Sequence, residues 1–275
     1  MEIHLWRELL IPYELAVKEL VIKFNHLKKE HKEKDLYSPI EQVSGRVKTI
    51  NSILEKMQRK NISWADLEEK VEDIAGIRVI CQFYEDIEKV AEIIRKRRDM
   101  QVVEEKDYLT HMKESGYRSY HMIVLYHVET LDGPKDIRAE IQIRTLAMNF
   151  WATIEHSLQY KYKGNMPPHL KARLNHAAQS ILLLDEEMSS VRNEVMDAQN
   201  SMLHQSNLVS GILNNIENLY HYSNKREVAK IQDEFYRIYA SNDLQQLKRF
   251  HQQLDIIAEG YCAQAVTSEG WDQNL

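Results

Sequence analysis

The sequence predicts an α/β protein in which a mixed sheet of about five strands is flanked by helices and followed by an all-helical C-terminal part. Glycine and proline are scarce, with 8 and 5 occurrences in 275 residues, against roughly 33 expected together from average usage. Because turns need these residues, their scarcity favours long helices over a many-stranded sandwich or barrel. The candidate strands all lie before residue 145, and helical periodicity dominates from residue 146 onward.

The composition is that of an ordinary globular protein and excludes several classes of function. Hydrophobic residues make up 43% of the chain, charged residues 28%, and the net charge is −6, so no global basic field exists for nucleic acid. The two cysteines, Cys81 and Cys262, are too few for a disulfide framework or a four-cysteine zinc site. Cys81 lies in an apolar run, which predicts an inert core thiol. The chain has no run of 18 apolar residues and no signal peptide, so we expect a cytoplasmic protein without membrane contact.

Helical patterns begin the chain. Apolar residues recur at helical spacing over 3–30, which predicts the first helix. Ser38-Pro39-Ile40-Glu41 combines an N-cap, a proline for the first turn and a capping-box glutamate, and it predicts the start of a second helix. A further helical pattern runs over about 46–60, and Ser63-Trp64-Ala65-Asp66 opens another helix.

The strands are predicted in the middle of the chain. Residues 77–83 are mostly apolar and β-branched, as in a buried strand, and 100–103 is a shorter candidate beyond a helix at 86–98. Asp132-Gly133-Pro134 is a turn signal between 119–128 and 136–144, which predicts a hairpin.

The C-terminal region is predicted to be helical throughout. Helices are expected over 146–163 and 168–204, followed by three shorter ones to about residue 260, with breaks near Pro167-Pro168 and Gly211. We therefore divide the chain into a main domain, 1–204, and a helical extension, 205–275. Extra packing, an oligomer contact and a regulatory arm are alternative interpretations of the extension.

The predicted hairpin brings polar side chains together. In its second strand Ile137, Ala139, Ile141 and Ile143 alternate with the polar residues Asp136, Arg138, Glu140, Gln142 and Arg144. The partner strand, if extended, places Tyr117, Ser119 and His121 on one face as well. The alternative is that these residues form only the solvent-exposed face of an edge strand. An aromatic ring, an imidazole, a carboxylate and an amide close together favour a functional site.

A local excess of positive charge indicates phosphate as a ligand. Residues 43–60 contain five cations and one anion. The cations are Arg46, Lys48, Lys56, Arg59 and Lys60. Such a cluster can grip a polyphosphate, because arginine forks and lysine point charges neutralise several phosphate oxygens. A solvated helix face is the alternative interpretation.

Two further features have both a functional and a structural interpretation. Asp73 stands just before a strand and can hold Mg²⁺ together with substrate phosphates, although a helix end at Gly76 explains the same residues. In the loop 113–118 a base can stack on Tyr117 while cations hold phosphates, although the loop can equally be an ordinary polar connection. The chain has no Walker A, GxGxxG, HExxH or GxSxG motif, and no histidine is followed by aspartate.

Taken in order, these strings resemble the alarmone synthetases of the RelA/SpoT family, and most closely its small, single-domain RelQ type. The resemblance covers about residues 5–200. The matching strings are Ser38-Pro39-Ile40-Glu41, Gly45-Arg46-Val47-Lys48, Asp73-Ile74-Ala75-Gly76-Ile77-Arg78, Gly116-Tyr117-Arg118-Ser119-Tyr120-His121, Glu140-Ile141-Gln142-Ile143-Arg144-Thr145 and Met148-Asn149-Phe150-Trp151-Ala152-Thr153-Ile154-Glu155-His156. The resemblance implies a nucleotidyltransferase-like synthetase fold and transfer of the β,γ-pyrophosphate of ATP to the ribose 3′-hydroxyl of GDP or GTP.

The resemblance also implies roles for individual residues. Adenine would lie between Arg46 and Arg78. The ATP phosphates would be held by Lys48, Lys56 and Arg59. Asp73 and Glu140 would bind Mg²⁺, with Glu140 as the general base. The acceptor nucleotide would meet Lys113, Tyr117, His121, Gln142 and Asn149, with guanine stacked on Tyr117.

The resemblance further implies a homotetramer, with single-stranded RNA or an alarmone as candidate regulators and no hydrolase activity. Small relatives use first-helix lysines and an aromatic residue to bind an activating alarmone, where this chain has Val21, Asn25 and Gln42. Two rival functions stay open, namely transfer to the 3′ end of tRNA and silent nucleotide or RNA binding. The net charge of −6 speaks against the first, and the pair Asp73 and Glu140 against the second. The sequence does not choose between GDP, GTP and GMP as acceptor.

Overall fold

The computed structural model describes residues 2–161, 166–222, 224–241 and 243–269. The chain forms two compact units, Met1–Val191 and Arg192–Leu275, and the division falls within one long helix. No helix in the described parts of the chain is long and apolar enough to cross a membrane.

A five-stranded mixed sheet lies at the centre of the first unit, as predicted. Its strands are β1 (Gln42–Val47), β2 (Ala75–Cys81), β3 (Met100–Asp107), β4 (Tyr120–Thr130) and β5 (Gly133–Thr145). Their order is β1-β2-β5-β4-β3, with β2 and β5 parallel and every other pair antiparallel. The predicted hairpin is confirmed as β4 and β5.

The helices account for most of the remaining described residues. They are α1 (Glu2–Glu33), α2 (Ile50–Lys60), α3 (Leu67–Lys70), α4 (Glu85–Arg95), α5 (Leu146–Lys161), α6 (Pro168–Tyr222), α7 (Lys225–Ser241) and α8 (Leu244–Glu269). The predicted end of the 146–163 helix lies partly outside the described residues. In the second unit, side chains of α6, α7 and α8 form a separate core that includes Ile212, Phe235 and Phe250.

One face of the sheet is apolar and buried. Ile137, Ala139, Ile141 and Ile143 of β5 are each no more than 1% exposed, which confirms the alternation read from the sequence. Residues of α1 and α4 belong to the same core cluster, so these helices cover this face. Because side chains alternate along a strand, the polar residues of β2, β4 and β5 point to the opposite face. Cys81 is buried within the core, and burial raises the pKa of its thiol.

Helix α1 approaches β1 closely at Gly45. A Cβ there would lie 2.6 Å from Val17 Cγ1 and 2.8 Å from Val21 Cγ2. We expect Gly45→Ala to lower the free energy of unfolding by about 1–3 kcal/mol, because the added methyl overpacks this contact. Urea denaturation measures the change. Gly260→Ala is the control, since no described atom outside the neighbouring helix backbone lies within 4 Å of a Cβ at that helical position, and it should gain up to about 1 kcal/mol from helix propensity. Equal stability of Gly45→Ala and wild type would contradict this prediction.

The predicted helix start at Ser38-Pro39-Ile40-Glu41 is wrong. The Ser38 hydroxyl accepts a hydrogen bond from the Ile40 amide, and the Glu41 amide donates to the Ile80 carbonyl. The chain then continues as the edge strand β1, so the helix predicted from about 46 begins only at Ile50, after the N-cap Thr49. Pairing with β2 along the whole of β1 outweighs the local capping pattern.

The predicted break near Gly211 is also wrong. Helix α6 continues through it to Tyr222, and within the described residues two helices follow it where three were predicted after residue 204. A Cβ at position 211 would collide with the ring of His251 from α8. The glycine therefore allows two helices to pack closely, which a single-sequence pattern cannot distinguish from a helix terminator.

Asp185 of α6 is a buried carboxyl that accepts a hydrogen bond from Thr145 Oγ1 at 2.7 Å. Burial raises its pKa from 3.8 to about 6. The folded state therefore holds a proton that the unfolded chain releases, and the free energy of unfolding falls as the pH rises from about 4 to 6. We expect Asp185→Asn to add about 1–2 kcal/mol at pH 7.5 and little at pH 4. Urea denaturation at both pH values measures this, and an equal gain at both would contradict it.

Candidate active site

Two adjoining cavities open on the polar face of the sheet. The first, of about 250 Å³, is lined by Ser44, Gly45, Arg46, Asp73, Gly76, Ile77, Arg78, Glu140 and Gln142. The second, of about 230 Å³, is lined by Arg46, Arg78, Tyr117, Gln142, Arg144, Ala152, Thr153, Glu155 and His156. Arg46, Arg78 and Gln142 line both, so the two cavities share one wall. The sheet register explains this, because Arg78 of β2 lies beside Gln142 of β5.

Two predicted phosphate-binding lysines contact the predicted metal ligand in the first cavity. Lys48 Nζ and Lys56 Nζ each lie 2.8 Å from an oxygen of Asp73. Burial opposes ionisation of Asp73, but hydrogen bonds from both lysines outweigh it and lower the pKa of the carboxyl. Arg59, in the last turn of α2, is exposed and lines neither cavity.

Glu140 belongs to a closed ring of five hydrogen-bonded side chains. Its Oε1 lies 2.9 Å from His121 Nδ1, and its Oε2 accepts from Gln142 Nε2 at 2.6 Å. His121 Nε2 lies 2.9 Å from the Tyr117 hydroxyl. Arg144 donates to both the Tyr117 hydroxyl and Gln142 Oε1 and closes the ring. Burial opposes ionisation of Glu140, but His121 and Gln142 overcome it and lower the pKa of the carboxyl, so Glu140 is ionised at neutral pH.

Cations cover the ring of Tyr117. Lys113 Nζ lies 5.0 Å and Arg144 Cζ 5.5 Å from its centroid, and Lys113 also lies 4.4 Å from the centroid of Tyr108. Burial raises the pKa of Tyr117, and partial burial lowers the pKa of Lys113, because the charged form of each group is less well hydrated here than in water.

The loop that carries Tyr117 rests on α6. Asn175 Nδ2 donates to the Glu114 carbonyl at 3.0 Å. Gly116 has φ +85°, and a Cβ there would lie 2.7 Å from Ala178 Cβ. Tyr117 itself packs against the cluster of Trp151, Ala152 and Ala178. The position of the loop therefore depends on residues far along the chain.

Comparison with known proteins gives the family. Residues 45–165 match the region found in RelA and SpoT proteins. The GTP pyrophosphokinase YjbM of Bacillus subtilis is 52% identical over 194 residues, which are 70% of this chain and 92% of that protein. This chain belongs to the RelA/SpoT family. A second family member, the GTP pyrophosphokinase YwaC of B. subtilis, is 38% identical over 69% of this chain and 91% of its own length.

Solved structures of the family agree with the fold. Small alarmone synthetase 1 of B. subtilis bound to its product pppGpp has a TM-score of 0.67 and 52% identity, covering 69% of this chain and 97% of that one. A GTP pyrophosphokinase family protein from Streptococcus pneumoniae has a TM-score of 0.68 and 54% identity, covering 70% and 96%. The nucleotidyltransferase-like synthetase fold expected from the resemblance is confirmed by these structures.

The structure brings most of the predicted site residues together, although their roles stay predictions. Arg46, Asp73, Arg78, Glu140, Gln142 and Tyr117 line the cavities. Lys48, Lys56, Lys113 and His121 contact residues that line them. Asn149 lines neither cavity, and its Oδ1 is buried without a partner among the described residues.

Sequence reasoning gave no role to Arg144 or Glu155, although both lie within strings that carry the family resemblance. Period-two alternation places Arg144 on the face of Glu140 and Gln142, so the signal for this residue was present. The place of Glu155 depends on how α5 packs against the sheet, and no local pattern predicts that. Asn175 lies beyond the matched region 45–165.

Among the described residues, no group of three His, Cys, Asp or Glu side chains could hold a metal ion. Asp73 and Glu140 nevertheless line one cavity. Mg²⁺ needs only one or two protein carboxylates when substrate phosphates supply the other ligands. The pair therefore fits a metal that arrives with a nucleotide, and does not fit a permanent protein-only site.

Proposed function

We propose that this chain is a GTP pyrophosphokinase that transfers the β,γ-pyrophosphate of ATP to the ribose 3′-hydroxyl of GDP or GTP, releasing AMP. The product is ppGpp or pppGpp, the alarmone of the stringent response. Two relatives named GTP pyrophosphokinase, and the product-bound structure of a small alarmone synthetase, support this activity. The structural observation that carries the proposal is the shared wall of the two cavities, because the transfer needs donor and acceptor side by side.

The first cavity takes ATP in this proposal. Planar guanidinium groups stack well on a base, and Arg46 and Arg78 lie at the wall where adenine would be held. Lys48, Lys56 and Arg59 hold the phosphates, so the two lysines exchange Asp73 for phosphate oxygens when ATP binds. Their present contacts with Asp73 support this, since lysine Nζ atoms that reach the carboxylate also reach ligands beside it.

Asp73 and Glu140 would hold Mg²⁺ in this proposal, and the ion would supply positive charge to offset that of the transferred group. Glu140 also accepts the proton of the attacking 3′-hydroxyl. Its lowered pKa supports that role, because the base must be ionised before it can accept a proton.

The second cavity takes the acceptor nucleotide, with guanine stacked on Tyr117. One cation must then leave the face of the ring, and the exposed Lys113 is the one free to turn toward the acceptor phosphates. His121 meets the same phosphates, and Gln142 lines the pocket. Asn149 stays a predicted contact of the acceptor nucleotide from outside the cavity lining.

We propose a homotetramer in the cytoplasm. An exposed apolar stripe on α6 supports self-association, because Leu184, Met188 and Val191 are 51%, 47% and 44% exposed and share one helix face. Light scattering tests this, with a mass near four times 32.5 kDa expected. Regulation by single-stranded RNA or by an alarmone stays a prediction.

The activity is tested with labelled ATP, Mg²⁺ and GDP or GTP, and anion-exchange chromatography separates the products. We expect AMP together with ppGpp or pppGpp. If the label entered added tRNA and not free nucleotide, the acceptor would be tRNA and not GDP or GTP. An absence of transfer to nucleotide or tRNA would contradict the proposal.

A further inference from the structure

Glu155 is a buried carboxylate in the second cavity without an assigned role. It lies on α5, is 8% exposed, and shares the cavity lining with Tyr117. It also lines a third cavity, of about 370 Å³, which the loop residues Glu114 and Ser115 line as well. Glu155 therefore belongs to the lining of both cavities, and in the second it shares the lining with Tyr117.

The hydrogen bonding of Glu155 is incomplete. Gln159 Nε2 donates to Oε1. No described residue donates to Oε2, and no described cation forms an ion pair with the carboxylate. Burial raises the pKa of Glu155, with only partial relief from His156 and Lys113 nearby. A carboxylate that is largely withdrawn from water and lacks a full set of donors is unfavourable, so a ligand that supplies N–H groups in this cavity would be bound selectively.

Nucleotide bases differ in the groups that they present to such a carboxylate. Guanine offers two neighbouring N–H donors, N1–H and the exocyclic 2-amino group. Adenine offers one donor beside an acceptor, and an acceptor facing a carboxylate is repelled. A carboxylate accepts only, and its two oxygens match a pair of donors. A pocket lined by both a stacking ring and such a carboxylate is therefore selective for guanine over adenine.

We propose that Glu155 determines the base specificity of the acceptor site by accepting hydrogen bonds from N1–H and the 2-amino group of guanine. The inference rests on the proposed function, because it assigns the second cavity to the acceptor nucleotide. It makes Glu155 a specificity-determining residue, in contact with substrate but outside the reacting atoms.

The test compares GDP with IDP, whose base keeps N1–H and lacks the 2-amino group. We expect wild type to prefer GDP over IDP by roughly 10- to 100-fold in kcat/KM, the usual size of one hydrogen bond to a charged partner. In Glu155→Gln, kcat/KM for GDP should fall by about 100-fold and the preference over IDP should shrink toward unity. The KM for ATP should stay unchanged.

The control is Glu194→Gln, an exposed position on α6 that should leave both ratios at their wild-type values. An unchanged GDP to IDP ratio in Glu155→Gln would overturn the inference. If that variant fails to fold, calorimetry on wild type decides, and equal affinities for GDP and IDP would overturn it as well. Failure of the proposed function looks different, because wild type would then transfer to neither nucleotide.

Discussion

Glu140→Gln will lower the rate of pyrophosphate transfer by about 10³-fold or more at saturating ATP and GDP, because in the proposed mechanism it removes a base and a metal-binding charge, each worth on the order of 10²-fold. The amide also breaks the ring of hydrogen bonds, since its NH2 group replaces one of the two carboxylate oxygens that face His121 and Gln142. The rate is measured as the release of AMP, which is monitored by anion-exchange chromatography.

The matched control for this variant is Glu129→Gln, which carries the same change at the far end of the hairpin, where the side chain is 77% exposed. It should keep the wild-type rate. Circular dichroism of both variants establishes that they fold. A Glu140→Gln rate within tenfold of wild type would remove this residue from the chemistry.

Gly116→Ala will raise the KM for the acceptor nucleotide by roughly 10- to 100-fold, because strain of about 1–3 kcal/mol must be relieved by moving the loop. Two effects add at this position. An alanine disfavours the φ of +85°, and its Cβ would lie 2.7 Å from Ala178 Cβ and 2.8 Å from Asn175 Oδ1. The KM for ATP should change little, because the first cavity contains no residue of this loop.

Gly133→Ala separates the two effects. Gly133 also has a positive φ, of +106°, but a Cβ there has open space around it, and the residue lies in the hairpin turn away from both cavities. It should lose stability without any change in the acceptor KM. If both variants raise the acceptor KM equally, the loop is not held in place by its contact with α6.

The sequence predicted the sheet well where a single strand shows a clear alternation of apolar and polar residues. The alternation of β5 located the buried face and placed Glu140 and Gln142 together on the other face. Strand β1 was missed for the opposite reason. Four of its six residues are exposed at the sheet edge, and its pairing with β2 joins residues 28 to 38 positions apart.

The candidate site was predictable as far as motifs extend. The strings around Asp73 and Tyr117 marked residues that line the cavities. Contacts between residues far apart in the chain could not be predicted from one sequence, because the identity of one residue does not indicate which distant residue it contacts. The hydrogen bond from Asn175 to Glu114 spans 61 positions, and the packing of Gly211 against His251 spans 40.

The two lysines on Asp73 have a consequence for which polyanions can enter the first cavity. To bind there, a phosphate chain without a counter-ion would have to break both ion pairs of Asp73, whose side chain is only 21% exposed. The unpaired carboxylate would then face the negative charge of the phosphates. If the phosphate chain carried a divalent cation, positive charge would remain beside Asp73 after the lysines had turned to the phosphates. We therefore expect the first cavity to bind a triphosphate with its divalent cation more tightly than the bare triphosphate.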